Sequence, residues 1–469
     1  MGLKESITRV TRNGAGWLLV AALFYSPWDE GGTSAEAIRH LDWLLGVMFL
    51  LWGLGALYAK ISRRRAEIRG GEFHSGILQL IALLLLLLGW GMALNAHAVF
   101  DADYSVFLPL TSLMPGAPGS VDYFLSVALM WRVTTLLGCI WVMAQLAQDE
   151  KWLLRIWWAI GLAGGSIALL GLVQKATGAE LPFWQSLERG EPAVSTFFAS
   201  FYYHGNAGAY LNLALPAVLG LAFRYVTRPS NPVARALWLT MSVIMIVAVA
   251  SDTSRMGQAL AALMTLTLLV LWAKKGFRKV RHLEVRTALV ALVVGGVALW
   301  AIVQTSHLDR SLGRWDSVRS TWTKDARWLV DRIAIKGLPE AGATGFGPGT
   351  FSVVFPTLQR GAEPGAQGSW LFLHNDYLQT LLEWGWIGGV LWAGLFFGGM
   401  LVALRSLAKE GRSWYPRQRL FLPVTLVALA GVAIHAAVDF PLQISSIQLS
   451  VATYLGICWG SRGWGKRKS

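Results

Sequence analysis

The chain has 469 residues, 54% of them hydrophobic and 14% charged, with a formal net charge of +14. A water-soluble protein of this length would carry about 25% charged residues, which excludes an ordinary soluble domain. The positive balance does not point to nucleic acid, because Lys and Arg fall in short clusters between apolar blocks, as in cytoplasmic loops beside anionic lipid.

A membrane-spanning helix needs roughly 17–25 apolar residues. On that rule spans are expected near 13–28, 38–59, 76–97, 121–146, 153–174, 206–223, 236–251, 256–273, 287–304, 374–402, 420–438 and 443–461. Ser26-Pro-Trp-Asp-Glu30 follows the first apolar run without a small-residue cleavage site, so no cleaved leader is expected. The 24 Trp suit a chain with many membrane–water boundaries. Cys139 and Cys458 both lie inside apolar blocks and offer neither metal spacing nor a disulfide framework.

With about twelve spans, the basic clusters around Arg12, Arg65, Lys151, Arg228, Lys275, Arg412 and Lys466 all fall on one side. Both termini are then cytoplasmic. Basic loops flank both ends of 236–273, so Ser251-Asp-Thr-Ser-Arg255 should be a hairpin on the other side. The expected fold is an all-α polytopic membrane protein with a large extracytoplasmic loop containing an amphipathic helix. Residues 1–304 would hold nine spans, 305–373 the loop, and 374–469 three more spans and a basic tail. Within the loop, Leu312 to Ile335 reads as the surface helix, and Gly342, Gly345, Gly347, Pro348 and Gly349 as turns.

Candidate residues follow in chain order. Asp101-Ala-Asp103 could hold a divalent cation, but two carboxylates at this spacing are common and such ions want more oxygen ligands. Arg132, inside the fourth span, should pair or line a cavity. Arg255, at the tip of its hairpin, either anchors the helix end or grips two phosphate oxygens. Arg314, Arg319, Lys324, Arg327 and Arg332 form a mostly solvated face. Gly345-Phe-Gly-Pro-Gly-Thr350 has no preceding strand and no Lys-Ser/Thr after it, so it reads as a tight turn, one whose amides could face an anion. His374 leads a span with Asn375, Asp376 and Glu383 on the same helix, which makes it either a helix-end structural residue or a proton-transfer group. His435 and Asp439, spaced i,i+4, read as a structural hydrogen bond.

Four stretches in order resemble the O-antigen ligase/polymerase family of bacterial membrane glycosyltransferases. They are Ser195-Thr-Phe-Phe-Ala-Ser-Phe-Tyr-Tyr-His-Gly-Asn-Ala-Gly-Ala-Tyr-Leu211 leading to Pro216, Thr253-Ser-Arg255, Arg319 leading on to Gly345-Phe-Gly-Pro-Gly-Thr-Phe351, and His374-Asn-Asp-Tyr-Leu-Gln379 with Glu383 and Gly385. The chain departs from the family pattern in its longer Lys336–Thr344 segment, which leaves Arg319 and Arg327 as alternatives for one role. The resemblance implies transfer of a glycan from a polyprenyl-diphosphate carrier, such as undecaprenyl diphosphate, to a glycolipid or glycan acceptor outside the cytoplasmic membrane. On that basis Arg255 and Arg319 would clamp the diphosphate and His374 would take the acceptor proton. Asn375, Arg327, Asn206, Arg132, Glu383, Gly345 and Gly347 would contact substrate. No cofactor, metal or nucleic acid is expected. A ligase, a polymerase and a protein glycosyltransferase share this donor and are not separated by the sequence, and a twelve-helix secondary transporter is the rival of another class.

Overall fold

An apolar backbone in lipid must satisfy its own hydrogen bonds, so the long hydrophobic runs become helices. The computed structural model describes residues 3–61, 75–185, 197–228, 231–280, 326–360 and 368–464, with positions 293 and 296. Its helices are α1 (Leu3–Trp28), α2 (Ala35–Ile61), α3 (Gly76–Leu94), α4 (Tyr123–Leu146), α5 (Glu150–Ala176), α6 (His204–Thr227), α7 (Pro232–Ser251), α8 (Arg255–Val280), α9 (Ala326–Ala341), α10 (Phe351–Leu358), α11 (Asp376–Glu410), α12 (Pro416–His435) and α13 (Ser445–Gly460). Among the described residues nine of these, α2 to α8 with α11 and α12, are long and apolar enough to cross a membrane. The protein is a polytopic helical membrane protein.

The expected count of twelve is not reached among the described residues. The expected span 13–28 lies in α1, which runs back to Leu3 and so takes in Lys4, Arg9 and Arg12. The expected span 443–461 is α13, 16 residues long and buried along almost its whole length. Of the expected span 287–304 only positions 293 and 296 are described, and Arg319 and most of the expected surface helix lie outside the described residues.

Short polar residues start the helices where the sequence changes character. Ser75, Asp122, Asp149, Asn231 and Asn375 each accept a backbone N–H in the first turn of α3, α4, α5, α7 and α11. α13 occupies the bundle interior, as an apolar helix with no polar face should. Its Tyr454 hydroxyl donates to the Leu213 carbonyl of α6 at 2.7 Å, and Trp157 of α5 stacks between Phe421 and Tyr454 with ring centroids at 4.7 and 5.5 Å.

Among the described residues the all-α expectation holds but for one short hairpin: strands β1 (Ala98–Asp101) and β2 (Val106–Pro109) pair antiparallel in the loop between α3 and α4. Two expectations need correction. The described part of the surface helix extends through Pro339 to Ala341 instead of ending at Ile335, so the Lys336–Ala341 stretch is helix, not connecting loop. Pro339 falls in the last turn, where a missing N–H removes only one ladder bond. The expected span 374–402 runs to Glu410 and is broken at Gly385, whose φ of 61° and ψ of −169° belong to a region essentially restricted to glycine.

That break seats the inserted segment. Phe346 N and Gly347 N donate to the Leu382 and Glu383 carbonyls at 2.9 and 3.0 Å, and Ile387 N donates to Ala343 O at 3.0 Å. Val330, Ala334, Phe351, Phe355, Leu373 and Leu382 form a small core of their own between α9, α10 and the start of α11. A Cβ on Gly385 would lie 2.3 Å from the Ala343 carbonyl oxygen. Gly385→Ala should therefore cost at least about 1–3 kcal/mol in backbone strain alone. Limited proteolysis should then cut the 326–373 segment faster than in the parent protein, while the remaining helices stay protected.

Candidate functional site

The polar row His374-Asn375-Asp376 divides its labour. Asn375 caps α11, its Oδ1 accepting from Leu378 N at 3.2 Å. Asp376 clasps the chain beyond α12: Oδ2 accepts from Leu442 N at 2.9 Å and Oδ1 from Gln443 Nε2 at 2.8 Å, while Asp376 N donates to Ala436 O at 2.9 Å. This clasp fixes the loop that carries Asp439 and Phe440 against the residue just before the helix cap. His374 is the member of the row that faces Asp439.

His374 Nε2 stands 4.0 Å from Asp439 Oδ1, and His435 Nε2 stands 4.0 Å from Asp439 Oδ2. Both separations are too long for hydrogen bonds. The expected His435–Asp439 hydrogen bond is therefore not formed. α12 ends at His435, so Asp439 lies beyond the helix and turns toward His374 as well. The Tyr203 hydroxyl donates to Asp439 Oδ2 at 3.2 Å and accepts from Arg327 Nη2 at 2.8 Å. Rings complete the setting: Phe440 stacks on Tyr203 at 5.5 Å, and Phe440 and Trp370 meet the His374 imidazole edge-on at 4.9 and 5.5 Å.

Burial raises the Asp439 carboxyl above its ordinary range, with the Arg327 charge opposing the shift. Burial, then the Asp439 charge, pushes the Tyr203 phenol up, so its hydroxyl keeps its proton at neutral pH and remains a donor. Gly205 makes room for this network, since a Cβ there would lie 2.7 Å from Asp439 Oδ2. Tyr203→Phe keeps the ring but removes the hydroxyl that links a guanidinium to a carboxylate. Hydrogen bonds to charged groups contribute about 1.5–3 kcal/mol, so a lower thermal midpoint in detergent is expected with the helical content unchanged.

Of the other sequence-derived candidates, Arg327 is drawn into the cluster, whereas Arg319 lies outside the described residues. Asn206 is buried in the first turn of α6, and its N–H donates to Tyr203 O at 3.1 Å. Arg255 opens α8 after a connection of only three residues from α7, as the charge pattern requires. α6 holds α8 by a hydrogen bond from Asn212 Nδ2 to Gly257 O at 2.9 Å. One helix thus places both Tyr203, on which Arg327 rests, and the element headed by Arg255.

Glu383 is taken up internally. Its carboxylate accepts from Gly349 N, Phe351 N and Gln379 Nε2 at 3.1, 3.3 and 3.0 Å. The glycine turn therefore faces this side chain, and the amides of Gly345 and Gly347 are occupied by the Ala341 and Glu383 carbonyls. Asp101 organises its own turn, its Oδ1 accepting from Asp103 N and Tyr104 N at 3.0 and 3.2 Å.

The Asp42 carboxyl of α2 lies close enough to Arg132 to interact with its charge, a proximity that no sequence spacing reveals. Arg132 also lines an apolar cavity of about 410 Å³ between α4, α11 and α13, which follows α11 from Asp376 to Phe397. The cavity adjoins the cluster without containing it: Asp376 and Leu442 are in its wall, and His374 and Asp439 are not.

Sequence reasoning passes over Tyr203 and pairs Asp439 with His435 alone. Tyr203 sits inside the Ser195–Leu211 stretch without drawing notice, because a phenol near a membrane surface is common. Asp439 was assigned to His435 because an i,i+4 pair is the only neighbour a linear pattern displays. In comparisons with known proteins, no family model matches the chain and no curated protein matches it.

Proposed function

We propose that the chain is a membrane glycosyltransferase moving a glycan from a polyprenyl-diphosphate carrier to an acceptor hydroxyl on the outer face of the cytoplasmic membrane, in the manner of the O-antigen ligase/polymerase family. The observation that carries this reading is the meeting of His374 and Arg327 on the Asp439–Tyr203 pair. It brings a proton acceptor and an anion-binding cation to one place. The apolar cavity beside it suits an isoprenoid tail. The topology that goes with the reading has about twelve spans, both termini in the cytoplasm and the cluster outside.

In this mechanism the acceptor oxygen attacks the anomeric carbon as the carbon–oxygen bond to the diphosphate breaks. His374 takes the acceptor proton, and the nearby Asp439 carboxylate stabilises the imidazolium that forms. Arg255 and Arg327, with Arg319 as the alternative second cation, hold the diphosphate and stabilise the charge that builds on it as it leaves. Two guanidiniums can neutralise the phosphates without a metal, so chelator should leave the rate unchanged.

The test is direct. Purified protein in lipid nanodiscs, supplied with undecaprenyl-diphosphate-linked glycan and a panel of glycolipid, glycan and protein acceptors, should release undecaprenyl diphosphate in an acceptor-dependent manner. Which acceptor responds separates ligase, polymerase and protein glycosyltransferase. Release with none of them, together with movement of the intact donor across the bilayer, would instead identify a transporter.

A further inference from the structure

Residues 104–121 contain no charged side chain. The structure builds this run in the opposite sense from a loop meant for water. Its backbone polar groups turn inward: Asn95, buried at the end of α3, donates from Nδ2 to the carbonyls of Met114, Ala117 and Pro118 at 3.2, 3.1 and 3.2 Å and accepts from Met114 N at 2.8 Å. Asp122 accepts from Phe100 N at 2.7 Å, and His97 Nδ1 is 2.7 Å from Ser112 Oγ. Val121 N donates to Phe346 O at 2.9 Å, which ties the base of the loop to the inserted segment. The apolar side chains turn outward. Val106, Phe107, Leu108, Leu110, Leu113 and Met114 are all exposed, Leu113 by 73%.

A contiguous apolar patch on a firmly held frame marks a binding surface. Two features decide what covers it. The loop joins the ends of two helices long and apolar enough to cross a membrane, and Leu94 at the end of α3 and Phe124 at the start of α4 are themselves exposed and apolar. The patch also has no charge with which to select a polar partner. We infer that the flank of this loop, residues 106–114, is an interfacial wedge lying in the headgroup–acyl boundary of the bilayer, with lipid as its partner. The acidic turn limits its depth: Asp103 is exposed at the hairpin tip and stays on the water side. Insertion is by the flank, to about 5–10 Å, as for other amphipathic surface elements. The inference stands whichever reaction the protein catalyses.

Site-directed labelling tests it on the whole protein. Leu108→Cys, Leu113→Cys and Asp103→Cys variants would each carry an environment-sensitive fluorophore in nanodiscs with and without lipids bearing a nitroxide just below the headgroup. The natural thiols, Cys139 and Cys458, are both buried, so the label goes to the introduced position. Labels at 108 and 113 should emit at shorter wavelength and be quenched at least about twofold more than the label at 103, given the expected depth. Water-like emission at 108 and 113 would overturn the inference. So would emission that is blue-shifted yet insensitive to the nitroxide lipid, since that would mean cover by protein or by a second copy. Matching thermal midpoints for the three variants and the parent would show that each reports on the folded state.

Discussion

Purified His374→Ala protein should transfer glycan about 10²–10⁴-fold more slowly than the parent chain, the range expected for loss of a general base. Under the proposed mechanism donor binding should change little, because the imidazole would meet the acceptor and not the phosphates. His374 is held against Asp439 by the Asp376 clasp, and Phe440 and Trp370 meet its ring edge-on. The pH profile adds a second readout. Because burial raises the Asp439 carboxyl, falling pH should protonate it above the ordinary carboxylate range and weaken its support of an imidazolium. The acidic limb of kcat should therefore be displaced toward neutral pH, and Asp439→Asn should abolish that displaced limb. Turnover near the parent value in His374→Ala would remove the base role.

Arg255→Ala and Arg327→Ala should each lower kcat by about 10²–10³-fold, the typical cost of losing one preorganised group that stabilises transition-state charge. The conservative changes should recover little. Lysine presents a point charge on a flexible stem and cannot grip two phosphate oxygens with a planar fork. Apart from the proposed clamp, Arg327 Nη2 donates to the Tyr203 hydroxyl. Arg327→Lys should thus loosen the Tyr203–Asp439 link and shift the pH profile, whereas Arg255→Lys should reduce kcat with the profile unmoved. Full activity in Arg255→Lys, measured at saturating lipid-linked donor, would rule out the clamp.

Much of the fold was legible because about twenty apolar residues in a row leave few alternatives to a spanning helix. The Ser251–Arg255 hairpin was legible for a related reason: basic clusters at both ends of an apolar stretch force the chain to return. The break at Gly385 was not, because glycine is frequent in membrane helices and only a partner backbone shows why one is needed there. Ala343, the partner in question, is 42 residues away in sequence and its role depends on the inserted segment docking. The site was half legible. His374 stood out as a titratable group at the head of an apolar helix. Asn375, Asp376 and Glu383 were equally conspicuous, yet the structure employs them as cap, clasp and anchor. Tyr203 and Asp439 meet only through the packing of α6 against the turn after α12, and no spacing encodes that meeting.

The Glu383 carboxylate has a consequence for how the protein is made. The glycine turn is synthesised before the helix residue that fills it, so the Gly349 and Phe351 amides have no Glu383 to bind until that residue is made. Conversely, a chain shortened by removing 326–373 would leave an acidic group inside an apolar helix with only Gln379 to receive it. Such a deletion should mature poorly and be cleared by quality-control proteases, even though every membrane-crossing helix among the described residues remains intact.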